Sequence, residues 1–413
     1  MTLLAAPRAT AASPATVPLN RWAALILVFV VTSRGPLEMF LGKPLAYGIQ
    51  AAAAVALLVL LRRHTSAVGP RPWGHWAALL LFVITALLSV LVTTTLHSSS
   101  AAGALFYTAT MLLLVGLLFF GSYGRRDGTN IRTLGPVSAI VAMTQLAVAV
   151  AQQYGGLRLF PGSDVGSFAD RVRPAGLTGS YLHYPLVMAL FAIILLGVGL
   201  RTRRASTFVC AALSAGAVML SLSRSGMMIL ALTLIVAIVL SRFGGTSIAL
   251  LLGTAYVSII AVLWFRESGV ISRALSAFDP DSSGNAGRFA QWNEGVEAWM
   301  DTRLLLGEFT GMYTNATRNF GLESLGVVES SLLQQMLNFG LIGALFTYWL
   351  LLAVPRTINP SDTWVRAGAY ACVAQTLVYQ SVEVLPFVVL FSLLPLVFTA
   401  DQSANLEEVG RDA

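Results

Sequence analysis

Charge is scarce in this sequence. Charged residues fill 11% of its 413 positions, less than half of the roughly 25% carried by a soluble domain. That shortage excludes a cytosolic enzyme or a nucleic-acid module solvated by water. Hydrophobic residues make up 56% and the mean hydropathy is +0.75, so lipid must solvate much of the chain. Lysine is almost missing, since Lys43 is the one lysine among 26 basic residues. Cysteine is almost missing too. Cys210 and Cys372 both sit inside apolar runs, which excludes a disulfide scaffold and reads as small membrane-core residues. There is no Walker motif, no dinucleotide glycine fingerprint and no cysteine or histidine cluster with metal spacing. The stretch 279–284 begins like a calcium loop, but proline holds its second position and Ala290 stands where the bidentate glutamate belongs. The net charge of +7 does not point to nucleic acid, because the charges lie in short loops between apolar runs.

What is present is a succession of apolar runs, at roughly 18–33, 42–61, 73–95, 101–121, 134–154, 181–200, 205–222, 225–241, 246–265, 329–354, 363–381 and 382–399. At about 20 residues per crossing these predict an all-α polytopic membrane protein of about 12 transmembrane helices. The first run is the weakest, because Arg21 and Arg34 shorten it and Arg21 must snorkel. The predicted organisation is a disordered cytoplasmic tail at 1–17, spans 1–9 over 18–265, an extracytoplasmic loop over 266–328, spans 10–12 over 329–399 and a second cytoplasmic tail at 400–413. The alanine-, threonine- and proline-rich start lacks the charged region and cleavage site of a signal peptide, so the first run is expected to remain as a span. Alternate loops and the two tails together hold 15 basic and 6 acidic residues, while the other set of loops holds 11 basic and 13 acidic. The positive-inside bias therefore places both termini in the cytoplasm.

Two outer segments exceed what connection needs, 155–180 and 266–328, and long loops in compact proteins are usually functional or disordered. The second contains Phe289, Trp292, Val296 and Trp299 at helical spacing, which predicts a short amphipathic helix over 288–303 on the outer membrane surface. Its bland alternative is a lid that only packs on the bundle.

Arginines beside spans are costly and tend to be functional or paired. Arg173, Arg224 and Arg288 all fall on the outer side. A guanidinium stays charged and grips phosphate oxygens in a bidentate fork, so three together would form a diphosphate clamp. Arg171 is a substitute for Arg173, and the alternative for each arginine alone is snorkelling or a salt bridge. Glu329, directly before a long apolar helix, is the leading general base, against the bland reading of a carboxylate favourably placed at a helix N-terminus. Ser330, Gln334 and Asn338 follow it as a polar stripe. Glu383 is the second candidate base or substrate ligand, against the reading of a turn-capping acid, and Glu38 is the third, four residues from Arg34 and able simply to pair with it. His183, beside Tyr181 and Tyr184, is a candidate substrate ligand or proton shuttle as well as an interfacial anchor. Trp292, Trp299, Phe309 and Tyr313 are candidates to stack on sugar rings, or belt residues.

In order and common sidedness these residues resemble the bacterial O-antigen ligase and polymerase superfamily. The matching pieces are Arg173-Pro-Ala-Gly176 with His183-Tyr-Pro185 after it, Ser221-Leu-Ser-Arg-Ser-Gly226, Gly287-Arg288 with Trp292, and Glu329 followed by Leu332-Leu-Gln-Gln-Met-Leu-Asn-Phe-Gly-Leu-Ile-Gly343. They cover about 170–350, and the first third matches only as generic apolar spans. The resemblance implies a GT-C-like helical fold in the bacterial cytoplasmic membrane, with the active site on the extracytoplasmic face. It implies an undecaprenyl-diphosphate-linked glycan donor, an acceptor that is lipid-linked (polymerase) or lipid A core (ligase), membrane lipid around it, and a chain-length regulator as a candidate partner. In the ligases a histidine stands near the head of the span after the large loop. Here that place holds Glu329, which favours polymerase chemistry. The scheme calls for no cofactor, metal or nucleic acid. A transporter or flippase is the non-enzymatic alternative, and would place ionisable groups at mid-membrane.

Overall fold

A computed structural model describes residues 19–66, 73–122, 130–157, 166–168, 171–241, 283–302, 304–314 and 327–398. The helices are α1 (Leu19–Thr32), α2 (Arg34–Leu41), α3 (Lys43–Ser66), α4 (Trp73–Leu96), α5 (Ala101–Ser122), α6 (Asn130–Tyr154), α7 (Tyr184–Thr202), α8 (Ala205–Leu220), α9 (Arg224–Leu240), α10 (Ser283–Met300), α11 (Ser331–Thr357), α12 (Thr363–Thr376) and α13 (Leu385–Val397). A two-stranded antiparallel hairpin, β1 (Gly166–Phe168) and β2 (Arg171–Arg173), is inserted before α7.

Eleven of the twelve apolar runs fall on helices, and the run at 246–265 lies outside the described residues. Among the described residues six helices are long and apolar enough to cross a membrane, or seven if the bent pair α1–α2 is one span. The chain is a helical membrane protein. Among the described residues the count of twelve is not reached, because several runs make short helices. α8 has 16 residues, α9 17, α12 14 and α13 13, and at 1.5 Å per residue each falls short of a 30 Å hydrocarbon core. The weak first run breaks at Ser33, where α1 turns by 59° into α2.

α7 and α13 form the centre. Residues 184–195 of α7 are buried on all sides, as is α13 from Pro386 onward. α7 packs against α6, α8, α9, α12 and α13, and α13 against α5 and α1. The outer helices show the reverse: Leu87 and Leu91 of α4, Val209 of α8 and Val239 of α9 are all more than half exposed. Rows of exposed branched side chains on several helices are costly in water and cost nothing against acyl chains. At one end of the bundle the α7 C-terminus meets the α11–α12 loop through a bidentate ion pair, Arg201 Nε to Asp362 Oδ1 at 2.7 Å and a second bond to Oδ2. The N-termini of α7 and α11 therefore share the other end.

That other end contains a non-helical insertion. Residues 304–314 press against α11 where Gly340 departs from helical geometry (φ 67°, ψ −171°). A Cβ at Gly340 would lie 2.2 Å from the Leu305 carbonyl oxygen, so only glycine permits the approach. The backbone of the insertion is satisfied by its surroundings. Leu341 N–H donates to the Leu304 carbonyl at 2.9 Å, Thr310 N–H to Thr93 Oγ1 at 3.0 Å and Gly307 N–H to Ser89 Oγ at 3.2 Å. Such satisfaction is obligatory for irregular backbone buried in a bundle.

Candidate functional site

The hairpin, the α8–α9 turn, α10, the α11 N-terminus and the α12–α13 loop bring the chemistry together. Pro174 ends β2, since it has no N–H to extend the pairing. Arg173, just before it, lays its guanidinium over the Tyr181 ring at 4.3 Å and donates from Nε to the Ser221 carbonyl at 3.3 Å. That carbonyl belongs to the tight turn between α8 and α9. Leu222 there adopts a left-handed φ of 53°, a conformation costing a non-glycine residue about 1–2 kcal/mol. The turn delivers Arg224 as the first residue of α9, where its Nη1 donates to Asn285 Oδ1 at 2.5 Å. Asn285 and Arg288 are one turn apart on α10, and Arg288 forms an ion pair with Glu329. The two side chains of that pair are 27% and 30% exposed, so a ligand can reach them.

The three predicted arginines act on one another. Burial lowers the Arg173 guanidinium below its usual value, Tyr181 and Tyr379 oppose that, and the charges of Arg224 and Arg288 lower it further. Arg173 stays protonated, and the mutual repulsion is the signature of clustered cations. Tyr379 lies at the same place. Burial raises its hydroxyl above the usual range, Glu329 raises it further, and Arg288 and Arg173 pull it back. Its carbonyl is held by the Ser331 N–H at 3.3 Å and hydroxyl at 2.9 Å, which ties the α12–α13 loop to the helix behind Glu329. The arrangement is a cluster of three guanidinium groups with a carboxylate paired to one of them.

His183 and Glu38 belong to a second cluster, organised by Arg34. Arg34 Nη1 donates to His183 Nδ1 at 2.5 Å, Nη2 to the Tyr47 hydroxyl at 2.6 Å and Nε to Glu38 Oε1 at 2.9 Å. The pairing of Arg34 and Glu38 at four-residue spacing is the one the sequence suggests. Burial, and then Arg34, hold the His183 imidazole well below its usual value, so it is neutral with Nδ1 accepting. Gly179 has a φ of 73°, and a Cβ there would lie 3.0 Å from the Gly35 Cα, so glycine suits the close approach of this loop to the start of α2. Glu383 sits in a short 3-10 turn, Ser381–Glu383, within electrostatic range of Tyr107 on α5.

Several sequence readings are corrected. α10 runs over 283–300 rather than 288–303, and its apolar face divides. Phe289 and Val296 are 47% and 41% exposed, whereas Trp292 and Trp299 pack on the cluster of Tyr313, Val328, Leu333 and Leu337. The inward stripe is Asn285, Arg288, Trp292, Gly295 and Trp299, a seven-residue repeat that mixes polar, small and aromatic types. Tyr313 is buried, which removes it as a sugar platform, and Phe309 stacks on His97 at 5.6 Å. The polar stripe of α11 is structural. Ser330 caps α11 by accepting from Leu333 N–H at 3.3 Å, Gln334 donates to Gln380 at 3.1 Å, and Asn338 Oδ1 accepts from Gly311 N–H. The Trp292 indole N–H is buried without a hydrogen-bond partner among the described residues. Of Arg171 only the backbone is described, and the calcium-like stretch lies almost wholly outside the described residues. Among the described residues no group of three or more metal-ligating side chains occurs.

Sequence reading missed Asn285 and Arg34. Asn285 carries no motif, and Arg34 looked like the local partner of Glu38 rather than a ligand of His183 149 residues away. No protein-family model matches the chain, and no curated protein matches it.

Proposed function

We propose that this protein is a bacterial cytoplasmic-membrane glycosyltransferase that polymerises oligosaccharide repeat units carried on undecaprenyl diphosphate. The observation that carries the reading is the convergence of Arg173, Arg224 and Arg288 with Glu329 at one end of an apolar bundle. In this reading the fold is GT-C-like with about 12 spans, the arginine-rich opposite end and both termini are cytoplasmic, and the site faces outward. Nucleotide sugars are absent outside the membrane, so the donor must arrive activated, and a lipid diphosphate is such a donor.

The acceptor hydroxyl oxygen attacks the anomeric carbon in line. The bond from that carbon to the phosphate oxygen breaks, and undecaprenyl diphosphate leaves with the electron pair. Attack on the opposite face inverts the centre. The leaving group is a weak base that needs charge stabilisation more than protonation, and the three guanidinium groups supply it. The acceptor proton passes to Glu329. Glu329 pairs with Arg288. The diphosphate takes over that arginine and leaves the carboxylate open to the acceptor, so donor binding precedes base catalysis. In this reading the indole N–H of Trp292, one turn from Arg288 and without a partner among the described residues, donates to a sugar hydroxyl.

The test is a strain lacking this gene, complemented with wild type or with Glu329→Gln, in which lipid-linked and surface glycans are sized. Single repeat units accumulating on the lipid carrier in the deletion and in Glu329→Gln support the polymerase. Full-length chains retained on the carrier replace it with the ligase. Unchanged glycan length and attachment remove the enzyme reading in favour of transport.

A further inference from the structure

At the end of the bundle away from the arginine cluster, residues of α6, α7 and α8 line a cavity of about 710 Å³. Gly135 lets α6 lie close to α7, since a Cβ there would meet Val198 at 3.0 Å. Pro136, Ala139, Val198 and Cys210 supply apolar wall, and Arg204 and Thr207 supply polar lining where α8 begins. The polarity is graded along one direction. Arg204 is the residue before α8, Thr207 is in its first turn, and Cys210 is a turn deeper.

Two features set the sign of a ligand. The first amides of α8 have no intrahelical acceptors and carry the positive end of the helix dipole. Arg204 is exposed and has no acidic partner among the described residues, whereas Arg201, three residues earlier, is committed to Asp362. A free phosphate would gain nothing from the apolar wall, and a neutral hydrocarbon would gain nothing from Arg204. An amphiphile with an acyl chain and an anionic head uses both. In a chain that crosses a bilayer, basic pockets between helices near a membrane surface are the sites where anionic lipid heads bind. The exposed apolar side chains of Val209 and Leu213 on α8 put lipid beside the cavity.

We propose that this cavity is a binding site for an anionic phospholipid, with one acyl chain between α6, α7 and α8 and the phosphate held by Arg204 and Thr207. The site stands on its own geometry and does not depend on the chemistry assigned to the opposite end.

Cys210 reports on occupancy, because it lines the cavity while Cys372 is fully buried. The full chain is reconstituted in phosphatidylcholine vesicles with or without phosphatidylglycerol, and alkylation of Cys210 by N-ethylmaleimide is timed. Phosphatidylglycerol is expected to slow alkylation roughly fivefold, which corresponds to the about 1 kcal/mol one arginine contributes near an anionic surface. Arg204→Gln is expected to abolish the slowing, and inorganic phosphate to leave the rate unchanged. Equal rates in the two lipids, or slowing that survives Arg204→Gln, overturn the site. Phosphatidylglycerol retained through purification, read by native mass spectrometry, is the second measurement. Equal retention by wild type and Arg204→Gln overturns the site even where the thiol is unreactive.

Discussion

At the residue scale the question is what each charge near Glu329 does. Arg224 reaches the site from the first residue of α9 and meets α10 at Asn285. Arg224→Ala is expected to lower glycan transfer by about 10²–10³, the loss typical of one donor to a developing anion. The purified variant should keep its detergent melting temperature to within a few degrees, and near-wild-type turnover would sink the clamp. The Arg288–Glu329 pair makes an opposite-signed prediction. Glu329→Gln removes the carboxylate that competes for Arg288, so inorganic pyrophosphate should bind about twofold to fivefold more tightly, the size of a partly exposed ion pair. Weaker binding would mean that the pair only holds α10 in place. His183 gives a pH dependence. Its folded value is depressed by burial and by Arg34, so the unfolded chain takes up a proton that the folded one refuses. Stability from this source is present above the unfolded value of about 6.5 and is lost as pH falls below it. Unfolding midpoints measured at pH 7 and pH 5 should fall further in wild type than in His183→Gln, and equal falls would place the acid sensitivity elsewhere.

At the element scale the fold depends on a helix that is not continuous. α11 is interrupted at Gly340 so that 304–314 can lie against it, and the site residues before and after the insertion, on α10 and α11, take their spacing from that contact. Gly340→Ala combines a positive φ with a Cβ placed 2.2 Å from the Leu305 carbonyl oxygen. The expected cost is about 3 kcal/mol or more, read as a lowered melting temperature in detergent. A neutral effect would show that the insertion gives way easily. The same scale explains how a helix legible in the sequence had its faces misassigned. Hydrophobic periodicity grouped Phe289 with Trp292 and Val296 with Trp299, but the inward stripe is held by Arg288, Asn285 and Gly295. Polar and small residues leave no trace in a hydrophobic pattern.

At the scale of the whole molecule, lipid decides which surfaces are tolerable. Leu87 lies in the middle portion of α4 and is more than half exposed. In a water-soluble protein Leu87→Arg would change stability by less than about 0.5 kcal/mol. Near the middle of a lipid-facing span it should cost about 2.5–3.5 kcal/mol of insertion free energy. A glycosylation or protease reporter of membrane integration should then show loss of inserted α4, and unimpaired integration would show that this face does not meet the hydrocarbon.

The sequence by itself determined the solvent of this protein and the positions of its helices, because hydropathy is additive along the chain and needs no partner to be read. It also marked Arg173, Arg224, Arg288 and Glu329, because charges beside apolar runs are costly enough to stand out. Which of those charges meet was decided only by tertiary structure. Arg34 pairs with His183 across 149 positions, and Arg288 with Glu329 across 41. The partner of a buried charge is set by which helix ends share one side of the bundle, and that is a property of packing. The short α8, α9, α12 and α13 fall to the same cause. Where a run stops being helical depends on the turns, ion pairs and inserted loop at its ends, and composition alone carries none of them.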